Sequence, residues 1–401
     1  MRNFQVFLKR SDNLSTIGII AEFNPLHSGH KMLIQEAKKY GSVVCVISGN
    51  FVQRGDTAIF EKQLRTDFAL NCGADLVIEM PVCYSMSTAQ NFATAGVSLL
   101  SAIGCDSLIF GSESGEIVPL IKTAEILESD EFSQKLPEYL KDGVTFAKAR
   151  QLCAEELGAE KGILEGANNN LGIEYILASR QINPNLTFKT IKRKGAMHDS
   201  LENDLEFASA TLLRQKIKQN DIDFCKKYIP GEIFDLIKTA DYSDINRIEK
   251  SILAVLRAKS KSDFSNLPDL SEGLENKLYN SIKLALSTEM LYNDMKVKRY
   301  TLARIRRLVL SAFIGIDKTS FSKIPPYLRI LGFNKAGEEI IKQNAKTSPI
   351  PVVLRSSDIE KLNPQAEYVF QMEARATDLY ALSLKKPLEC GLEYTRKIIK
   401  K

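Results

Sequence analysis

The stretch Ile17-Gly-Ile-Ile-Ala-Glu-Phe-Asn-Pro-Leu-His-Ser-Gly-His30 decides how the rest of the chain is read. A β-branched run ends at Ala21, a Phe-Asn-Pro turn follows, and His27 and His30 bracket a glycine where a helix over Lys31–Tyr40 begins. Of three histidines in 401 residues, two stand in this one turn. A helix start that closes a first strand offers free N–H groups and the positive end of the dipole, which suits the phosphates of a nucleotide. Imidazole nitrogens can donate to phosphoryl oxygens as charge builds on them. Gly29 leaves the backbone open to a triphosphate, Pro25 fixes the turn, and Ser28 is the expected N-cap. The plain alternative is a pair of surface histidines in a strand–helix turn, and it is the surrounding pattern that argues against it.

That pattern alternates. Thr16–Glu22 reads as a buried strand, then come a helix, the strand Ser42–Ser48, a helix over Glu61–Asn71 and the strand Asp75–Met80. Ser87–Ile103 is helical, and Ser107–Phe110 is a fourth strand. Short apolar runs separated by amphipathic stretches of about 10–15 residues predict βαβ units in a parallel sheet covered on both faces. Ligands bind such sheets at the carboxyl ends of the strands. The histidines, Ser48-Gly-Asn, Glu79 and Gly111-Ser-Glu all follow strand ends and can share one rim. Residues 117–180 read as largely helical, and a strand over Leu186–Ile191 leads into the basic loop Lys192–His198. From about residue 225 the strand signal fades, and Ile245–Ala258, Glu272–Thr288 and Lys296–Ile316 show helical periodicity. The expected architecture is therefore α/β: a Rossmann-like parallel sheet over residues 1–225, followed by a mostly α-helical domain over 226–401.

Composition narrows the class. A hydrophobic share of 44% with 26% charged residues describes a globular chain, not a disordered one. No run reaches the length of a membrane span, and Met1–Ser15 lacks the apolar core of a signal peptide, so no membrane partner and a cytoplasmic location are expected. Seven cysteines without a C-x-x-C pair fit reduced thiols, with no disulfide framework and no zinc site. The net charge of +5 is unevenly placed. Residues 1–110 hold nine basic and nine acidic residues, whereas Met295–Ile316 holds six basic residues and no acid. A polyanion would land there.

Four features converge on a nucleotide: the histidine turn, the glycine turn Phe110-Gly-Ser-Glu113, the amide run Ala167-Asn-Asn-Asn-Leu-Gly-Ile-Glu174, and Ser209-Ala-Thr-Leu-Leu-Arg214. Hydroxyls on a first helical turn with an arginine one turn on suit a β/γ-phosphate group. Helix capping accounts equally well for the asparagines and for Ser209, but it does not require Arg214.

On these residues the chain resembles the H-x-G-H nucleotidyltransferase superfamily, whose I-S-S-T-x-x-R motif is matched at Ser209, Thr211 and Arg214, with Ala210 departing from the second serine. The joint blocks Ala21–His30, Ser48–Gly55, Gly73–Pro81, Phe110–Glu113, Asn168–Gly172 and Ile191–Arg193 resemble the tRNA(Met) cytidine acetate ligase family over most of residues 16–215. Lys298–Arg307 and Tyr327–Asn334 match it more loosely. The resemblance implies an enzyme that adenylates acetate with ATP and passes the acetyl group to N4 of the wobble cytidine of elongator tRNA(Met). It implies no stable protein partner and leaves Mg2+ open.

In that reading His27, His30 and Lys31 do the phosphate chemistry. The ATP segment is Ile20, Ala21, Glu22, Phe23, Asn24, Pro25, Leu26, His27, Ser28, Gly29, His30, Lys31, Met32 and Leu33, with Gly111, Asn168 or Asn169, Arg193, Ser209, Thr211 and Arg214. Arg54, Lys62 and Arg65 are candidates for holding acetate or RNA, with a solvated helix face as the alternative for the last two. Lys298, Arg299, Arg304, Arg306 and Arg307 form the expected tRNA-phosphate surface, with Tyr300 placed to stack on a base. His198 has no assigned role. Two rivals stand beside this reading: a nucleotidyltransferase adenylating a small phosphorylated metabolite, and a non-catalytic tRNA-binding protein.

Overall fold

The computed structural model describes residues 15–141, 144–193, 208–271, 273–297 and 300–401. Its strands are β1 (Ser15–Ala21), β2 (Gly41–Ser48), β3 (Phe51–Val52), β4 (Asp56–Thr57), β5 (Leu76–Met80), β6 (Ser107–Ser112), β7 (Thr187–Lys192), β8 (Leu328–Phe333), β9 (Val352–Val353) and β10 (Ile399–Lys400). The main sheet runs β10-β8-β5-β2-β1-β6-β7, with β9 also on β8, while β3 and β4 form a separate hairpin.

β1 lies between β2 and β6, parallel to both, so its apolar run has no solvent face. Alternate residues serve opposite layers: Ile17, Ile19, Val43, Cys45 and Ile47 pack into one core, and Ile20, Val44, Val46, Leu76 and Ile78 into the other. The helix Ala89–Ala102 lies against β1 so closely that a Cβ on Gly18 would stand 2.5 Å from Leu100 Cδ1.

The five parallel strands β5-β2-β1-β6-β7 follow the sequence reading, whereas β8 departs from it. Leu328–Phe333 crosses back antiparallel to β5, and β10 then pairs with β8. The second half is thus not wholly helical. Its helices also bury Ile252, Leu256, Leu278, Ile305 and Leu308 in the core that β1, β2 and β5 line on that face. One core joins both sides of the expected division at residues 225 and 226.

Charge explains why β8 was hidden. Arg329 interrupts its apolar run, yet it is buried, pairing with Glu393 and lying 3.4 Å from Glu79. Lys62, fully buried, pairs with Glu79 and Glu393 and lies 3.2 Å from Glu373. Glu373 Oε2 also accepts from the Val82 N–H at 2.6 Å. Burial and the neighbouring Glu79 push the Glu373 carboxyl up, against Lys62. Protonated, it leaves two carboxylates facing two cations. Glu79, Glu373 and Glu393 are close enough to hold a metal ion, but the Lys62 ammonium already sits among them.

Arg65 is equally enclosed. It donates to Phe60 O at 2.9 Å, Glu22 O at 2.7 Å, Ser48 O at 3.0 Å and Gly49 O. The expectation that Lys62 and Arg65 hold acetate or RNA is therefore corrected. Neither is accessible, and both lock the carboxyl ends of β1, β2 and β5 together.

Candidate active site

At the end of β1 the chain turns sharply: Phe23 adopts φ 48°, a left-handed conformation that non-glycine residues seldom take. Two bonds brace this turn, with Asn24 Oδ1 accepting from Ile59 N–H at 2.7 Å and Asn24 O from Arg214 Nη1 at 2.8 Å. The helix that follows spans Ser28–Lys38, and its N-cap is His27, not Ser28. His27 Nδ1 accepts from Gly29 N–H at 3.1 Å, and His30 Nδ1 accepts from His27 N–H at 3.3 Å. Ser28 instead donates its hydroxyl to Tyr228 O at 2.8 Å.

This reciprocal cap fixes the chemistry of both rings. Burial, with Arg193 and Arg214 nearby, lowers the His27 imidazole to about 3. Burial, His27 and Arg193 lower His30 well below its usual value. Both rings are neutral near pH 7. With Nδ1 accepting a backbone N–H, each carries its proton on Nε2. The rings lie 3.9 Å apart between centroids, so two N–H donors stand side by side at a helix start.

They open into a cavity of about 900 Å³, the size of a small-ligand site. One wall comes from Ile20, Ala21, Glu22, Phe23, Asn24, His27, Gly29, His30, Met32 and Leu33. A second comes from Phe110, Gly111, Asn168, Asn170, Leu171, Tyr175 and Arg193, and a third from Ser209, Thr211 and Arg214. The hairpin β3–β4 and the helix Leu302–Ile314 close the far end with Val52, Gln53, Arg54, Asp56, Leu302, Ala303, Arg306 and Arg307. Gly55, at φ +71°, lets them meet, since a Cβ there would stand 2.5 Å from Arg306 Cβ.

Most of the residues expected to meet a nucleotide line this cavity, with five exceptions. Leu26 is fully buried in the core, Pro25 is buried under the turn, and Ser28 is bonded to Tyr228. Lys31 points away to an ion pair with Glu232 and does not line the cavity, which corrects its placement on the phosphates. Asn169 is buried: Oδ1 accepts from Glu113 and Ser114 N–H at 3.0 and 3.2 Å, and Nδ2 donates to Ile163 O at 3.1 Å. Asn168 is the residue that faces the cavity, accepting from Arg193 at 2.8 Å and donating to Glu113 at 2.7 Å. Burial alone would raise the Glu113 carboxyl, but the Asn168 amide and the helix-start N–H groups outweigh it and hold it low. Ser209 caps the helix Ala210–Lys218, and Arg214 donates to Thr211 Oγ1 at 3.0 Å.

The basic segment is also rearranged. Arg304 donates to Asp269 O at 2.7 Å, and Arg307 pairs with Asp269 Oδ2 at 3.0 Å and donates to Gln53 O at 3.2 Å. Tyr300 bonds Ser271 at 2.6 Å and lies under Arg304. These residues are not an open phosphate surface. Arg306, stacked over Tyr292, faces the cavity, as does Arg54. Lys298, Arg299 and His198 lie outside the described residues.

Sequence reasoning missed Asp56, Tyr175 and Phe92 in the wall. Asp56 follows the quoted Ser48–Gly55 block directly, and Tyr175 follows the asparagine block, so position relative to strand ends was the available signal.

A parallel sheet with paired imidazole donors at the first helix start, ringed by arginines, defines a nucleotidyl transferase. A family model described as HIGH Nucleotidyl Transferase matches residues 14–392. The tRNA(Met) cytidine acetate ligase of Thermoanaerobacter sp. strain X514 is 39% identical, covering 96% of this chain and 100% of that protein. That of Clostridium acetobutylicum is 37% identical over the same shares. Two solved structures of Thermotoga maritima TmcAL, each 29% identical, cover 96% of this chain and 99% of theirs. The unliganded form superposes with a TM-score of 0.88, and one bound with alpha-thio ATP with 0.86. Within the nucleotidyl transferases, the chain belongs to the tRNA(Met) cytidine acetate ligase family.

Proposed function

We propose that the protein couples acetate to N4 of the wobble cytidine of elongator tRNA(Met) at the expense of ATP. Acetate is a poor acyl donor and an exocyclic amine is a poor nucleophile, so the acyl group must first be activated. A carboxylate oxygen of acetate attacks the α-phosphorus, and the bond to the β-phosphate bridging oxygen breaks to release pyrophosphate. N4 then attacks the acetyl carbonyl carbon, the bond to the phosphate oxygen breaks, and AMP leaves with that electron pair.

One observation carries the reading: two neutral imidazoles, both with Nε2–H aimed from a helix start into a cavity that Arg193 and Arg214 also line. Such donors need no reorganisation as charge grows on the α-phosphate. The cavity walls from Ile20 to Leu33, at Gly111 and Asn168, and at Ser209, Thr211 and Arg214 would hold ATP, and Arg54 and Arg306, which line its far end, would face acetate and RNA. The remainder of the tRNA is proposed to dock on the second half of the chain.

The acidic groups of the cavity wall are Glu22 and Asp56, and Glu22 Oε1 already accepts from Gln53 N–H at 2.8 Å. That donor set fits Mg2+ arriving on the triphosphate better than Mg2+ caged by the protein. A cytoplasmic setting fits the cysteines, of which six are buried and none is paired. Among the described residues no helix is long and apolar enough to cross a membrane.

Incubation with labelled acetate, ATP and tRNA(Met) tests the proposal. Label in RNA, recovered as N4-acetylcytidine, supports it. Absence of label alongside dinucleotide formation from a phosphorylated metabolite overturns it.

A further inference from the structure

The transfer step releases a proton from N4, and nothing above takes it. We propose that Asp56 is the general base for that step, an assignment that rests on the ligase reading.

The cavity wall offers few proton acceptors. His27 and His30 are neutral, and each spends its Nδ1 lone pair on a backbone N–H, so Nε2–H can only donate. Glu22 already accepts from Gln53 N–H and, with Glu79 and Glu61, is one of the acids whose charge bears on buried Arg65. Its carboxylate is thus already spent on the hairpin backbone and on that charge balance. Tyr175 is pushed up by burial and would have to give a proton away before taking one.

Asp56 differs from all of these. It stands on β4 at the closing end of the cavity, where Oδ1 accepts from Thr57 N–H at 2.8 Å. No described residue donates to Oδ2, and none forms an ion pair with the carboxylate. Four groups on the packed elements act on its charge: Lys218 and Arg214 on one helix, Arg306 on another, and the Tyr292 phenol. Arg214 acts on the charge of both His27 and Asp56, and all three line the one cavity. An acceptor base entering past Arg54 and Arg306 would meet the acetyl carbonyl between them.

The step balances. N4 forms a bond to the carbonyl carbon, Oδ2 takes the N4 proton, and the acyl–phosphate bond breaks with its electrons on AMP. Burial raises the Asp56 carboxyl despite its cationic neighbours, which moves it toward the basicity that proton transfer at neutral pH needs.

The test uses the full-length enzyme and separates the half-reactions. Acetate-dependent ATP–pyrophosphate exchange reads adenylation. Aminolysis of synthetic acetyl-adenylate by tRNA(Met) reads transfer. For Asp56→Asn, exchange within about threefold of the parent and transfer lowered by about 10²–10⁴-fold are expected, with loss of the acidic limb of the transfer pH profile. Asp56→Glu should recover part of the transfer rate and restore that limb. Transfer kept within threefold in Asp56→Asn overturns the assignment, as does equal loss of both half-reactions in a variant that still binds ATP. So does a transfer defect that appears in Glu22→Gln in place of Asp56→Asn. Failure of the parent enzyme to show acetate-dependent exchange overturns the ligase reading itself, a result separate from any of these.

Discussion

Replacing Lys62 by methionine tests whether the buried charge cluster is architecture or substrate site. The ammonium is fully enclosed beside Glu79, Glu393 and the protonated Glu373, and with Arg329 it balances the first two. Its desolvation is outweighed by the acidic groups around it, which hold its titration above the usual lysine range. Removing it leaves an uncompensated carboxylate in the core, a loss that costs about 3–5 kcal/mol. For a chain of this length, with an unfolding entropy of roughly 2 cal/mol/K per residue, that lowers Tm by about 4–6 °C. Thermal and urea unfolding followed by circular dichroism would read the change. Glu79→Gln in the same chain removes the stranded charge and should return about half or more of the loss. A variant as stable as the parent but with a raised KM for acetate would refute the reasoning and restore Lys62 to the substrate.

Four further outcomes follow from the geometry. His27→Ala should lower acetate-dependent exchange by about 10²–10³-fold and cost about 1 kcal/mol as a lost cap, whereas His27→Asn should regain stability without regaining exchange. In tRNA-binding titrations, Arg304→Gln should leave the slope of log Kd against log salt unchanged because its partner is Asp269, while Arg306→Gln should reduce it by about 0.7–0.9 if it meets a phosphate. Gly55→Ala forces φ +71° on a residue with a Cβ and drives that Cβ toward the Arg306 Cβ, so a loss of about 1–3 kcal/mol in urea unfolding is expected. Glu373 keeps in the folded state a proton that the unfolded chain releases near 4.5, so it contributes stability that declines as pH rises above that value. Stability curves of Glu373→Gln and the parent between pH 5 and pH 8 should show a flatter decline for the variant.

The histidine turn and the five parallel strands were legible because their signals are local: an apolar run, a turn and a helix start lie within a dozen or so residues. What stayed hidden depends on partners far away in the chain. Arg329 reads as a break in an apolar run until Glu393, 64 positions on, meets it. Lys62 and Arg65 look like a charged helix face until the loop ends and the last helices close over them. The segment Met295–Ile316 contains no acid, yet Asp269 supplies the counter-charge for two of its arginines from 35 and 38 positions away. The cap was misplaced for a different reason. Serine is the commoner capping residue, and only the geometry shows a histidine ring nitrogen taking that place twice over.

The return of the chain to its first sheet has a consequence for synthesis. Glu393 and β10 emerge from the ribosome last among the described residues, yet one balances the cations beneath the rim of the sheet and the other extends the sheet beyond β8. The sheet and its buried charges cannot close in the order in which they are translated. Until residues 393–400 are made, a nascent chain therefore carries the histidine turn without the finished framework that aims it.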